Sequence, residues 1–223
     1  MRKSHFFINF IGSLSLVLFI CSFSIFSVAN TRWIYHRDID RLNLGESKNI
    51  SKAEVKQNFE ELLYYINHRE PEELKLTSFP ISPEGSIHFK DTKELFLKNK
   101  SLLFISLLSL CICIYFSYMN KRMNFLYYGA FSCLLILVSI LLSSLINFDF
   151  AFTLFHKILF TNDYWLFSPV FDPVITILPQ EFFFHCFIFI CAFIILLSLL
   201  FIAIGFFINS HLNKKRGCSY RSL

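Results

Sequence analysis

Four long apolar runs without any Asp, Glu, Lys or Arg constrain this chain more than any other feature. The runs cover residues 6–29, 101–119, 123–148 and 182–208. Each approaches or exceeds the roughly 20 residues with which an α-helix crosses about 30 Å of hydrocarbon. Because a segment in hydrocarbon must satisfy its own backbone hydrogen bonds, each run is expected to form a transmembrane helix.

The composition agrees with a membrane protein. The chain is 55% hydrophobic and contains 30 Phe among 223 residues, which is more apolar surface than a soluble domain of this length usually carries. The first run has 24 residues, whereas the apolar core of a secretory signal has about 7–15. We therefore expect it to be retained as a span.

The basic residues predict the orientation. Eight of them, with no acidic residue, lie before the first run, between the second and third, and after the fourth: Arg2, Lys3, Lys121, Arg122, Lys214, Lys215, Arg216 and Arg221. By the positive-inside rule these places are cytoplasmic, so both termini are expected inside and residues 31–97 and 149–181 outside. The net charge of +5 is thus a topology signal, and no nucleic-acid partner is expected.

The predicted fold class is an α-helical membrane protein with four transmembrane helices and a small extracellular α+β domain. The spans are placed at 1–30, 98–119, 125–148 and 182–208, with a cytoplasmic turn at 120–124 and a cytoplasmic tail at 209–223. In the extracellular domain, Ser51 and Glu54 form a capping box that predicts a surface helix over 52–67. Short strands are predicted at 74–79 and 86–89.

Two further helix starts are predicted near the spans. Asp91 and Glu94 form a second capping box, which is expected to begin the helix that becomes span two. The outer segment 149–181 is rich in aromatic residues and proline, and is expected to lie as a loop at the membrane interface. Within it, Asp172 followed by Pro173 predicts an N-cap and a short helix.

Histidine is the main candidate for chemistry on the outer side, because the sequence contains no nucleophile elbow, no His-Glu-x-x-His and no phosphate-binding glycine loop. His88 precedes span two and His156 follows span three. The tight turn between those spans makes them antiparallel neighbours, so the two histidines are expected to be close. Imidazole titrates near neutral pH and suits acid–base catalysis. His185, in the first turn of span four, is a third candidate.

Two other interpretations stay open at this point. The same histidines with a carboxylate could form a metal-dependent membrane hydrolase, although no pair has the local spacing of metal ligands. Alternatively the chain could be a non-enzymatic scaffold or transporter accessory subunit, since its spans lack charged residues.

The block from Phe155 to Pro169, with the sequence FHKILFTNDYWLFSP, continues through Asp172 to Leu178-Pro179 and resembles the second-loop signature of the lipoprotein intramolecular transacylases of Gram-positive bacteria. His88 followed three residues later by Asp91 is similar to the first-loop motif of that family. The resemblance covers nearly the whole chain.

The resemblance implies an enzyme of the bacterial cell membrane with its active site on the extracellular face. Its partners would be diacylglyceryl-modified lipoproteins and membrane lipid. It would move the glyceryl sn-2 acyl chain to the α-amine of the same N-terminal cysteine, giving the lyso form, without cofactor or metal. The implied catalytic residues are His88 and His156. The implied supporting or substrate-binding residues are Asp91, Asn162, Asp163, Trp165 and Asp172.

Overall fold

The computed structural model describes residues 2–120 and 122–219, which form seven α-helices and two short 3-10 helices. The α-helices are α1 (Arg2–Ala29), α2 (Arg32–Arg41), α3 (Lys52–Asn67), α4 (Pro83–Met119), α5 (Phe125–Ile146), α6 (Phe148–Leu159) and α7 (Gln180–Ser219). The 3-10 helices are Glu46–Lys48 and Pro173–Thr176. None of the described residues lies in a β-strand.

Four of these helices are long and apolar enough to cross a membrane, which confirms the predicted number of spans. They are Phe6–Ala29, Pro83–Met119, Phe125–Leu142 and Gln180–Leu212. In α4 the charge-free part is 101–119, and the preceding 18 residues contain seven charged side chains that belong outside the hydrocarbon. Lys121 and Arg221 of the orientation signal lie outside the described residues. The length and composition of the helices do not distinguish the two sides of a membrane, and the sidedness stays a prediction.

One compact unit contains the greater part of the apolar helices: α1 up to Ile25, α4 from Lys100, α5 up to Leu142 and α7 from Ile190. Close packing of small residues joins α1 to α5. Ser13 Oγ donates to Phe125 O at 3.2 Å. A Cβ added to Gly129 would lie 2.9 Å from Ser13 O, so only glycine lets the two backbones approach this closely.

The second compact unit combines residues from both predicted outer segments, Phe26–Asn99 and Ser143–Phe189. Tyr35 of α2 lies at its core. Its ring stacks on Phe59 of α3 at 3.6 Å and meets Phe182 of α7 edge-on at 5.1 Å. Its hydroxyl donates to Ile177 O at 2.8 Å. Three helices and the chain that leads into α7 are therefore joined around one buried tyrosine.

The structure confirms α3 at its predicted bounds. Ser51 N donates to the Glu54 carboxylate at 2.8 Å, and Ser51 Oγ accepts from Glu54 N at 3.2 Å, which completes the capping box. The polar stretch before it was not predicted to be helical, yet it contains α2.

The predicted α+β character is wrong. Residues 74–79 are irregular, and 86–89 belong to the first turns of α4. Ser82 starts that helix: its carbonyl accepts from Ser86 N at 2.8 Å and its hydroxyl accepts from Gly85 N at 2.9 Å. Pro83 occupies the first helical position, where the missing N–H costs nothing. A four-residue alternation was too short to distinguish a strand from a helix.

The predicted helix start at Asp91 is also wrong, because α4 already begins at Pro83. The cap at this end involves Asp172 instead. Asp172 is 4% exposed and accepts from Ser82 N at 2.8 Å and from Ser82 Oγ at 2.7 Å. It precedes the 3-10 helix Pro173–Thr176 as predicted, but its side chain makes no capping bond there. The carboxylate lies instead at the positive end of the α4 dipole.

The predicted loop 149–181 begins with a helix. Asn147 interrupts the third apolar run: its Oδ1 accepts from Phe150 N at 2.9 Å and so caps α6. Helix α5 therefore ends at Ile146 rather than at 148, and α6 follows with 12 residues, Phe148–Leu159. This helix carries His156.

Removing the Asp172 carboxylate should destabilise the protein. In an Asp172→Ala variant both Ser82 donors lose their acceptor, at a cost of about 1–3 kcal/mol in the free energy of unfolding. We expect a lower thermal midpoint for the full chain in detergent micelles, measured by tryptophan fluorescence. Asp163→Ala is the matched control, because Asp163 lies exposed in the same loop. Equal midpoints for the two variants would show that the contact contributes nothing.

Candidate active site

The structure brings His88 of α4 and His156 of α6 together within the second compact unit. Their ring centroids are 6.2 Å apart and the rings are inclined by 33°. The two residues are 68 positions apart in the chain, so only the tertiary fold could join them.

His88 lies among aromatic rings and is only 8% exposed. The centroids of Phe160 and Phe167 are 4.8 Å and 5.3 Å from its own. Burial, with the neighbouring His156 adding to it, lowers the pKa of His88 to about 4, while the charge of Asp91 acts in the opposite direction. The imidazole is therefore neutral at pH 7.

His156 has a defined tautomer. Its Nδ1 lies 2.7 Å from Phe152 O, and a carbonyl oxygen can only accept, so Nδ1 carries the proton. The lone pair of Nε2 is then available as a proton acceptor. Burial lowers the pKa of His156 below its ordinary value, and the bond to Phe152 O opposes this shift. Trp165 stacks on the ring at 4.7 Å and holds its plane.

The complementary tautomer is favoured for His88. Its Nδ1 is buried and has no hydrogen-bond partner among the described residues. A buried N–H without an acceptor is rarer in proteins than an under-used acceptor. The proton is therefore placed on Nε2, which makes His88 a donor where His156 is an acceptor.

Asp91 and Asn162 connect the two predicted motifs. Asp91 follows His88 by three residues on α4, which places both on one side of the helix. Asn162 Nδ2 donates to Asp91 Oδ2 at 3.3 Å, and Asn162 Oδ1 accepts from Tyr164 N at 3.1 Å. The amide thus ties the chain after α6 to the helix that carries His88.

The remaining predicted site residues occupy different positions. Trp165 is nearly buried against His156, whereas Asp163 is exposed and contributes its carbonyl to Leu166 N at 3.0 Å. Asp172 holds the start of α4. His185, the third histidine candidate, places Nδ1 2.6 Å from Oδ2 of the fully buried Asp38, so it forms an interhelix pair between α7 and α2.

Four contributors were not predicted as site residues. Phe160 and Phe167 enclose His88, while Ser82 and Gly85 receive Asp172. A Cβ added to Gly85 would overlap Asp172 Oδ1, so glycine is required there. The sequence Ser82-Pro83-Glu84-Gly85 contains an N-cap residue before a proline, and this signal could have revealed the helix start. The chain contains 30 Phe, and no comparable sequence pattern distinguishes Phe160 and Phe167 from the rest.

Within residues 2–120 and 122–219, no three His, Cys, Asp or Glu side chains are grouped closely enough to hold a metal ion. His88 and His156 together provide one neutral acceptor nitrogen and one neutral donor nitrogen in apolar surroundings. This arrangement is suited to proton transfer.

Comparison with known proteins gives consistent matches. The sequence model of the lipoprotein intramolecular transacylase Lit family matches residues 10–183. The in meso structure of the membrane-integral lipoprotein intramolecular transacylase Lit from Bacillus cereus is similar at 30% identity and a TM-score of 0.91, over 97% of this chain and 99% of that one. Two histidine variants of the same protein are also similar at 30% identity. The His-to-Arg structure has a TM-score of 0.82 over 98% and 99% of the two chains, and the His-to-Ala structure 0.83 over 97% and 98%.

A search of the curated proteins finds no match. The family match covers well over half of the chain and includes both histidines, and the similarity to the solved Lit structure covers 97% of the chain. The chain belongs to the lipoprotein intramolecular transacylase family.

Proposed function

We propose that the chain moves the sn-2 acyl group of an S-diacylglyceryl cysteine to the α-amine of the same cysteine, which leaves a lyso-form lipoprotein. Family membership supports the reaction class. The observation that carries the proposal is the pair of neutral imidazoles, His88 and His156, at 6.2 Å within aromatic surroundings. We infer that this pair is the catalytic centre.

The reaction balances without an enzyme nucleophile or a cofactor. The α-amine attacks the ester carbonyl carbon and a C–N bond forms. The bond between the acyl carbon and the glyceryl oxygen breaks, and one proton passes from the nitrogen to the departing glyceryl oxygen. Donor and acceptor belong to one molecule, so holding them in a productive geometry replaces the entropy cost of a bimolecular step. The enzyme must therefore bind, orient and transfer one proton.

The tautomers support an assignment of roles. His156 Nε2 accepts the amine proton during attack and returns it to the glyceryl oxygen as that bond breaks. His88 Nε2–H donates a hydrogen bond to the negative charge that develops on the carbonyl oxygen, an interaction that is stronger in the transition state than in the ground state. Both assignments use the nitrogens that the protein leaves available.

The other predicted residues have supporting roles in this proposal. The hydrogen bond between Asn162 and Asp91 holds the second loop against α4, and Trp165 fixes the plane of the His156 ring. Asp172 positions α4 through Ser82. The exposed carboxylate of Asp163 is available to hold the substrate ammonium group before it loses its proton.

We place this site on the extracellular face of the bacterial cell membrane, with both termini in the cytoplasm. The distribution of basic residues in the sequence supports this orientation. Diacylglyceryl lipoproteins are anchored in the outer leaflet, so the substrate and the proposed site would meet on the same side. In this placement, membrane lipid surrounds the transmembrane helices.

Replacing either histidine should abolish product formation while the protein still folds. General acid–base catalysis contributes about 10²–10⁴-fold to a rate, so His88→Ala and His156→Ala should each lose at least about a hundredfold. Mass spectrometry of lipoprotein N-termini should then show diacylglyceryl peptides instead of the lyso form. His68→Ala is the control, because His68 is exposed on the same unit. Unchanged lyso product from both catalytic variants would refute the proposal.

The pH dependence of the initial rate should follow the titration of the substrate α-amine rather than that of His88 or His156. His88, with its pKa lowered to about 4, and His156, with its pKa below the ordinary value, are both neutral at pH 7. The substrate α-amine, with an ordinary pKa near 8, is mostly protonated there. The initial rate should rise about tenfold per pH unit between roughly pH 6 and 7.5, then level off above about pH 8. A plateau that begins near pH 6.5 would instead assign the titration to an unperturbed histidine.

A further inference from the structure

Helix α6 has one face that packs against the protein and one that does not. On the packed face, Phe148 meets Phe184 and Phe187 of α7 at 4.8 Å and 5.9 Å, and Phe152 meets Phe183 at 5.7 Å. His156 follows one turn later on the same face, since residues four apart are aligned along a helix.

A second, exposed surface of α6, called here the bare face, consists of Phe150, Leu154, Phe155 and Ile158. Their exposed fractions are 60%, 44%, 56% and 72%. Spacings of three and four residues make these side chains neighbours on one side of α6. None of the residues of α6 is buried. A contiguous apolar surface of this kind marks an interaction site.

Two connections determine the depth of α6 relative to the hydrocarbon. It begins after a single residue, Asn147, that follows the apolar helix α5. It also packs on Phe183, Phe184 and Phe187, which belong to the charge-free stretch 182–208 of α7. Both its start and its packed face are therefore held at the level where apolar spans enter the membrane.

We propose that the bare face of α6 lies against lipid acyl chains, so that α6 is an in-plane helix of the membrane and the bare face is the surface along which diacylglyceryl chains reach the site. Amphipathic helices commonly insert their apolar face about 5–10 Å into the boundary between headgroups and acyl chains. The ester bonds of a diacylglyceryl group lie at that boundary.

The position of His156 connects this surface to the chemistry. His156 lies next to Phe155, whose ring meets the imidazole edge-on at 5.4 Å, and two residues before Ile158 on the same short helix. An acyl chain lying along the bare face thus brings its ester oxygen to the depth of the imidazole. This second half of the inference rests on the proposed acyl transfer, whereas the lipid contact itself does not.

Bromolipid quenching tests the lipid contact. Ile158→Trp is made in a Trp33→Phe background of the full chain and reconstituted into phosphatidylglycerol vesicles with brominated acyl chains. The Trp33→Phe parent retains Trp165, so its fluorescence is subtracted from that of each variant. The remaining signal from position 158 should be quenched severalfold more strongly than the signal from position 64 in the matched Tyr64→Trp variant, whose site is exposed on α3. Equal quenching at the two positions would overturn the lipid contact.

Activity separates the two sources of acyl chains, bulk lipid and substrate. Ile158→Asp places a charge on the bare face without disturbing packing, and Ile158→Leu preserves the face. If substrate chains use this surface, transfer on a vesicle-embedded diacylglyceryl lipopeptide should fall at least about tenfold for Asp and stay unchanged for Leu. Equal rates for the two variants would overturn the substrate path and leave bulk lipid as the occupant. Absence of lyso product from the parent protein would instead refute the acyl transfer, and the quenching result would stand.

Discussion

The contact between Asp172 and the start of α4 is the interaction on which the site geometry depends. The carboxylate accepts two hydrogen bonds from Ser82, and the lack of a side chain at Gly85 lets it approach the helix end. His88 lies six residues after Ser82, so the position of its ring is set from this end. Because Asp172 belongs to the same second loop as Asn162 and Trp165, one anchor relates both halves of the site.

Aromatic enclosure then determines the chemistry that the histidines can perform. Phe160 and Phe167 remove water from His88, and desolvation disfavours the charged imidazolium, which is why its pKa falls to about 4. A neutral pair with one donor and one acceptor nitrogen can relay a proton between two atoms of one substrate. In the proposed acyl transfer the donor ester and the amine belong to one molecule, so the enzyme does not have to overcome the entropy cost of a bimolecular step.

Helix α6 has a packed face and an exposed apolar face. Its packed face supplies His156 to the site, while its bare face is too apolar for water. In the proposed reaction, a membrane-anchored substrate would present its ester at the boundary between headgroups and acyl chains. A short helix between two apolar spans is a direct way to place an imidazole at that depth, because its start and its packing partners are both fixed by the spans.

Local patterns were sufficient for some features and insufficient for others. The charge-free runs, the capping box at Ser51 and Glu54, and the proximity of His88 and His156 followed from composition, spacing and topology. The start of α4 was missed although Ser82 before Pro83 is a local signal for it, whereas the contact of Ser82 with a carboxylate 90 residues away lies outside any local window. The same holds for Asp91, whose partner is Asn162 of the second loop rather than its own helix end.

The sequence by itself therefore determined that this is a four-span helical protein with two histidines near one end of adjacent helices. Hydrophobicity and charge act along the chain and can be read without coordinates. Only the tertiary structure decided the tautomers, the aromatic enclosure, the helix in place of a loop at α6, and the anchor at Asp172. These features depend on contacts between residues that are distant in the chain. Tertiary packing determines such contacts, and the local conformational preferences of the sequence do not.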